Sequence, residues 1–84
     1  MAEPAPLGNP ELLLELLRYP MPFGKYKGQR LRELPMAYLE WFAQKGFPAG
    51  KLGMLLQTLY EIRTNGLDYL LDELEKRQRT GSGR

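Results

Sequence analysis

Lys25, Tyr26, Lys27, Arg30 and Arg32 stand within eight consecutive positions, and their types and spacing suit one kind of chemistry. That chemistry is charge neutralisation, not bond-making. Lysine and arginine neutralise phosphates, and a tyrosine among them can stack on an exposed base. Gly24 and Gly28 bracket Lys25-Tyr26-Lys27 and let a backbone approach closely. Two alternatives stay open at this level. Lysines also blunt the edges of exposed hairpins, so the same pattern reads as solvation. Tyr26 lies between two lysines, and strand alternation would turn it to the opposite face, where it anchors the loop.

Other chemistries drop out. The chain has no His and no Cys, so a Ser–His or Cys–His nucleophile, a Cys-based zinc site and a disulfide are all excluded. Glu61, Asp68, Asp72, Glu73 and Glu75 cluster, but on the polar faces of leucine-striped helices, where a solvated face explains them better than a carboxylate pair or a Mg²⁺ site. The stretch "GFPAGKLG", residues 46–53, echoes a phosphate loop and departs from it twice. Three residues, not four, separate Gly46 from Gly50, and Leu52 follows Lys51 where Ser or Thr is needed. It reads as a turn between helices. No catalytic residue, metal or cofactor is expected.

The net charge of +2 conceals blocks. Glu3, Glu11 and Glu15 give residues 1–17 a charge of −3, whereas Arg18, Lys25, Lys27, Arg30 and Arg32 give residues 18–32 +5 with no acid among them. Residues 33–75 return to −4, and residues 76–84 carry +4. Such blocks either polarise the surface or neutralise one another in the fold.

These residues need elements to hold them. Asn9-Pro10-Glu11 is a helix start, with Leu13, Leu16 and Leu17 inward and Pro20 and Pro22 as the stop. Residues 21–34 change period and read as a short antiparallel hairpin: Phe23 and Leu31 would be buried, Arg30 and Arg32 would share the opposite face, and Gly28 would take positive φ. Pro35 opens a helix to Gly46 that is apolar on most sides, so it is expected at the centre of the core with Trp41 buried. A third helix carries Leu52, Leu55, Leu56 and Leu59 and closes at Asn65-Gly66; a fourth carries Leu67, Leu70, Leu71 and Leu74. The expected fold is α+β, one short antiparallel β-hairpin packed on three or four helices. Residues 1–8 read as a flexible segment, 9–77 as a single compact domain and 78–84 as a flexible basic tail.

Residues 21–67 carry a resemblance. Met-Pro-Phe-Gly-Lys-Tyr-Lys-Gly, then Leu-Pro followed by Tyr-Leu-x-Trp-Phe, then Lys-Gly-Phe-Pro, then Asn-Gly-Leu, all in order, resemble a bacterial family of unknown function labelled "putative quorum-sensing-regulated virulence factor". The first half, with Phe-Gly-Lys-Tyr-x-Gly before Tyr-Leu-x-Trp, is also similar to the C-terminal module of exonuclease-X-like 3′–5′ exonucleases. The first resemblance implies a regulatory association; the second implies an accessory beside nucleic-acid chemistry and supplies no catalytic residue. The sequence shows no secretory signal and no apolar run near the roughly 20 residues of a membrane span. The expectation is a cytoplasmic, non-enzymatic binding module that contacts DNA or RNA phosphates through Lys25, Lys27, Arg30 and Arg32, with Tyr26 as stacker. The alternative is a protein–protein interaction module, homodimeric or bound to another protein, that touches no nucleic acid. No membrane partner is expected.

Overall fold

The computed structural model describes residues 10–82; the expected flexible segment 1–8, the Asn9 cap and the last residues of the basic tail lie outside them. Among the described residues the architecture is four α-helices and one 3-10 turn. Helix α1 is Pro10–Arg18, the 3-10 turn Leu31–Glu33, α2 Met36–Lys45, α3 Gly50–Thr64 and α4 Asp68–Ser82.

Helix α3 is the element on which α1, α2 and the 3-10 turn pack, while α4 packs on α1. Along one side α3 buries Leu55, Leu56, Leu59 and Ile62. Helix α1 turns Leu16 and Leu17 inward, α2 adds Leu39 and Phe42, and α4 adds Leu71. Thr58, the buried polar residue of this core, donates its hydroxyl to the Met54 carbonyl at 2.8 Å, so burial leaves its donor satisfied. The junction of α3 and α4 follows from Asn65-Gly66-Leu67. Gly66 takes φ 70°, its N–H reaches the Arg63 carbonyl at 3.1 Å, and the Leu67 N–H reaches the Ile62 carbonyl at 2.9 Å. This reciprocal pair satisfies the last carbonyls of α3 and turns the chain into α4.

The expected β-hairpin does not form, so the fold is all-helical and not α+β. Residues on either side of the loop do run antiparallel, but they meet at one bridge, Pro20 opposite Arg30. The Met21 N–H reaches the Gln29 carbonyl at 2.8 Å, and the Leu31 N–H reaches the Tyr19 carbonyl at 3.0 Å. The ladder stops there for physical reasons. Pro22 has no N–H to offer. The Gln29 N–H bonds the Tyr26 carbonyl inside the loop at 3.0 Å, and Gly28 takes the Met21 carbonyl in its place. Beyond Leu31 the chain coils into the 3-10 turn, which ends the period of two on which the shared face of Arg30 and Arg32 depended. Gly28 does take positive φ, 92°.

Helix α2 also departs from expectation. Its core contribution is Leu39 and Phe42, and Trp41 is 49% exposed. At 3.6 residues per turn, Trp41 points about 130° away from the midpoint between those two residues. The helix is therefore peripheral, and its aromatic side faces outward. Phe23, expected on the buried face of the hairpin with Leu31, is 45% exposed, while Leu31 is fully buried.

Candidate functional site

The loop after α1 is built from two overlapping turns. The Lys27 N–H bonds the Gly24 carbonyl at 3.1 Å, and the Gln29 N–H bonds the Tyr26 carbonyl at 3.0 Å. This geometry exposes Lys25 and Lys27 and turns Tyr26 toward the core. The Tyr26 ring lies 4.8 Å from Tyr38 at 56°, a tilted ring contact between loop and α2. Gly24 has φ 82°, and a Cβ there would stand 3.1 Å from the Tyr38 hydroxyl, so the loop backbone lies directly against that ring.

The five expected site residues fall into two groups. Arg30 and Arg32 sit at the base of the loop and are engaged by carboxylates. Arg30 donates to Glu33 at 3.0 Å and to Glu75 at 3.2 Å. Arg32, its side chain only 12% exposed, donates to Asp72 at 2.7 Å and Glu75 at 2.8 Å and lies 3.6 Å from Asp68. Arg63 of α3 joins this network by donating to the Leu34 and Arg32 carbonyls. The electrostatics agree with the geometry. The hydrogen bond to Glu33, more than any other contact, raises the Arg30 pKa above its ordinary value. For Arg32, burial opposes the charge, but Asp72, Asp68 and Glu75 together outweigh it and raise its pKa. Burial lowers that of Arg63, with Asp68 pulling the other way. Of the acids that cluster in the sequence, Asp68, Asp72 and Glu75 thus face arginines, and among the described residues no group of three or more acidic side chains is arranged to hold a metal ion.

Lys25 and Lys27 form the second group. Among the described residues neither is ion-paired. The Lys25 ammonium lies 5.5 Å from the centre of the Tyr26 ring, which holds it beside the loop's aromatic face. A cleft of about 570 Å³ opens there. Phe23, Gly24, Lys25 and Tyr26 line it from the loop, and Ala37, Tyr38, Trp41 and Phe42 line it from α2. The Tyr38 and Trp41 rings are nearly parallel, 8° apart with centres at 6.3 Å, and both meet Phe42 edge-on. Burial first, and Tyr26 second, push the Tyr38 hydroxyl above the usual phenol range. Among the described residues no carboxylate lines the cleft, and Glu40, next to Trp41 in sequence, is not among its walls.

Trp41, Tyr38 and Phe23 were not among the expected site residues. The signal for Trp41 and Tyr38 was available in the positions of α2: with Leu39 and Phe42 inward, Trp41 must turn outward. Nothing comparable marked Phe23, whose exposure follows from the failure of the hairpin.

Comparison with known proteins agrees with the residue pattern over most of the chain. A family model described as "Putative quorum-sensing-regulated virulence factor" matches residues 9–74. The "Uncharacterized protein YpeB" of Escherichia coli strain K12, and its counterpart in Escherichia coli O157:H7, are each 54% identical over 67 residues, covering 79% of this chain and 93% of theirs. These findings do not show the second resemblance, to exonuclease-appended modules. No solved structure matches the chain.

Proposed function

Because the chain belongs to the family described as "Putative quorum-sensing-regulated virulence factor", a description that names a regulatory association and no reaction, we propose that it is a small non-catalytic binding module that contacts nucleic-acid phosphates through Lys25 and Lys27. The observation that supports this is the division of its cations. The α4 carboxylates occupy Arg30 and Arg32, whereas the two loop lysines are exposed, without a carboxylate partner among the described residues. Arginine's fork suits bidentate carboxylates, and lysine serves as a mobile point charge for phosphates. In this reading Arg30 and Arg32 hold the loop, and the lysines do the binding. No helix among the described residues is long and apolar enough to cross a membrane, and the reading is of a cytoplasmic module.

The test is the salt dependence of oligonucleotide binding. Two phosphate contacts give a slope of log affinity against log salt of about −1.4 on single strands and −1.8 on duplex DNA. Affinity should be weak, roughly 10⁻⁴–10⁻⁶ M near physiological salt. The double variant Lys25→Gln, Lys27→Gln should bring the slope near zero without moving the melting temperature. The reading fails if neither single strands nor duplexes bind at low salt, or if the double variant binds as well as the parent.

A second reading keeps the exposed aromatics for a protein. Phe23 and Trp41, each close to half exposed on one cleft, are the kind of anchors that interfaces use. Concentration-dependent dimers in gel filtration, with no oligonucleotide binding, would favour it.

A further inference from the structure

We infer that the cleft between the loop and α2 receives an unpaired nucleobase, so that the module selects single-stranded over duplex nucleic acid. The inference rests on the phosphate reading above and adds the partner's strandedness and the residues that read it. Proteins that hold single strands pair a cationic track with aromatic rings on which successive bases stack. Both parts meet here. Five rings, Phe23, Tyr26, Tyr38, Trp41 and Phe42, line the cleft, and Lys25 lines it with them. Its volume of about 570 Å³ lies within the range of pockets that take small planar ligands.

Charge decides among the occupants. Among the described residues the walls contain a lysine and no carboxylate, and Lys27 adds a second exposed cation two residues along the same loop. A polyanion complements that edge. A second copy of this chain complements it less well, because its row of Asp68, Asp72 and Glu75 is already engaged by Arg32. Bases in a duplex are stacked on one another and present no free face, so the rings can act only on a base that is unpaired. Trp41 has the exposure to meet one, while Tyr26 and Tyr38 are half-buried and support it.

Trp41 is the single tryptophan and reports its own contact. The full chain is titrated with a short oligothymidylate, and separately with that strand annealed to its complement, at low salt. The expected result is quenching of Trp41 emission by the single strand and much less by the duplex. Trp41→Ala should weaken single-strand binding about 5- to 150-fold, the loss of one stacked base. Trp41→Phe should recover part of it, with helicity by circular dichroism unchanged in both variants. If single strand and duplex bind equally with no change in Trp41 emission, the cleft is not the base site and the phosphate reading stands alone. If neither binds, both readings fall; quenching by an apolar peptide would then assign the cleft to a protein.

Discussion

Tyr26 sits where a stacking residue and an anchoring residue make opposite demands. A stacker must offer a face to the partner, and an anchor must give its face to the protein. The ring is half-buried, packs against the core and lies 4.8 Å from Tyr38, so its contacts are those of an anchor. Tyr26→Ala is expected to lower stability by roughly 1–3 kcal/mol, from lost burial and the lost ring pair. Tyr26→Phe should retain most of it. Urea denaturation of both variants measures this directly. A Tyr26→Ala chain that keeps its stability and loses oligonucleotide binding would make Tyr26 the stacker after all. The two roles were inseparable in the sequence, because a residue between two lysines faces inward or outward depending on whether the loop is a strand or a pair of turns. Only the turn geometry decides it, and here that geometry depends on where the Gln29 N–H goes.

At the scale of elements, the stripes of leucine were enough to place the helices. Leu16 and Leu17, Leu55, Leu56 and Leu59, and Leu71 are buried where helical spacing puts them, and Asn65-Gly66 ends α3 as its type requires. Two features were less legible. The hairpin stopped at one bridge because Pro22 has no N–H and the Gln29 N–H bonds the Tyr26 carbonyl inside the loop, a diversion that residue types alone do not reveal. Helix α2 was misplaced because counting apolar residues ignores their angle: Met36, Tyr38, Trp41 and Ala43 add hydrophobicity without adding to the face defined by Leu39 and Phe42. One glycine also had no visible signal. Gly53 looks like a weak point in α3, yet a Cβ there would stand 1.6 Å from the Pro48 carbonyl oxygen, so the turn before α3 can fold back on the helix only over a glycine. Gly53→Ala forces a backbone shift and should cost about 3 kcal/mol or more, the upper end of overpacking. Gly28→Ala is the control, since a Cβ there meets nothing within 4 Å and only the φ of 92° is strained. It should cost about 1–2 kcal/mol. Thermal melts of the two variants side by side check the order; equal losses would mean that the Pro48 turn moves aside freely.

Across the whole molecule, the charge blocks in the sequence neutralise one another in part. The acids of α4 reach back to the base of the loop and take the arginines, leaving the lysines at its tip. One ion-pair network therefore does two things. It fastens α4, which otherwise relies on Leu71 and its half-buried leucine neighbours, and it limits how many cations face outward. The fastening lies between two regimes. Exposed ion pairs contribute about 0.2–1 kcal/mol, while breaking a buried pair costs about 3–5 kcal/mol. Arg32 is well covered, but Asp72 is 61% exposed, so a value nearer the lower figure applies. The double variant Asp72→Asn, Glu75→Gln separates the two effects. It removes two negative charges, frees Arg32 from all its carboxylates but Asp68, and leaves Arg30 on Glu33. The melting temperature should fall by a few degrees, as a loss of about 1 kcal/mol does in a domain of this size. At the same time the salt slope for single strands should steepen from about −1.4, with about −2.1 as the ceiling for Lys25, Lys27 and Arg32 acting together. A slope that stays near −1.4 while the melting temperature falls would show that Arg32 lies out of reach of the strand and serves only to hold α4. A steeper slope would show that α4 masks Arg32, and that the acidity of one helix sets how strongly this module binds.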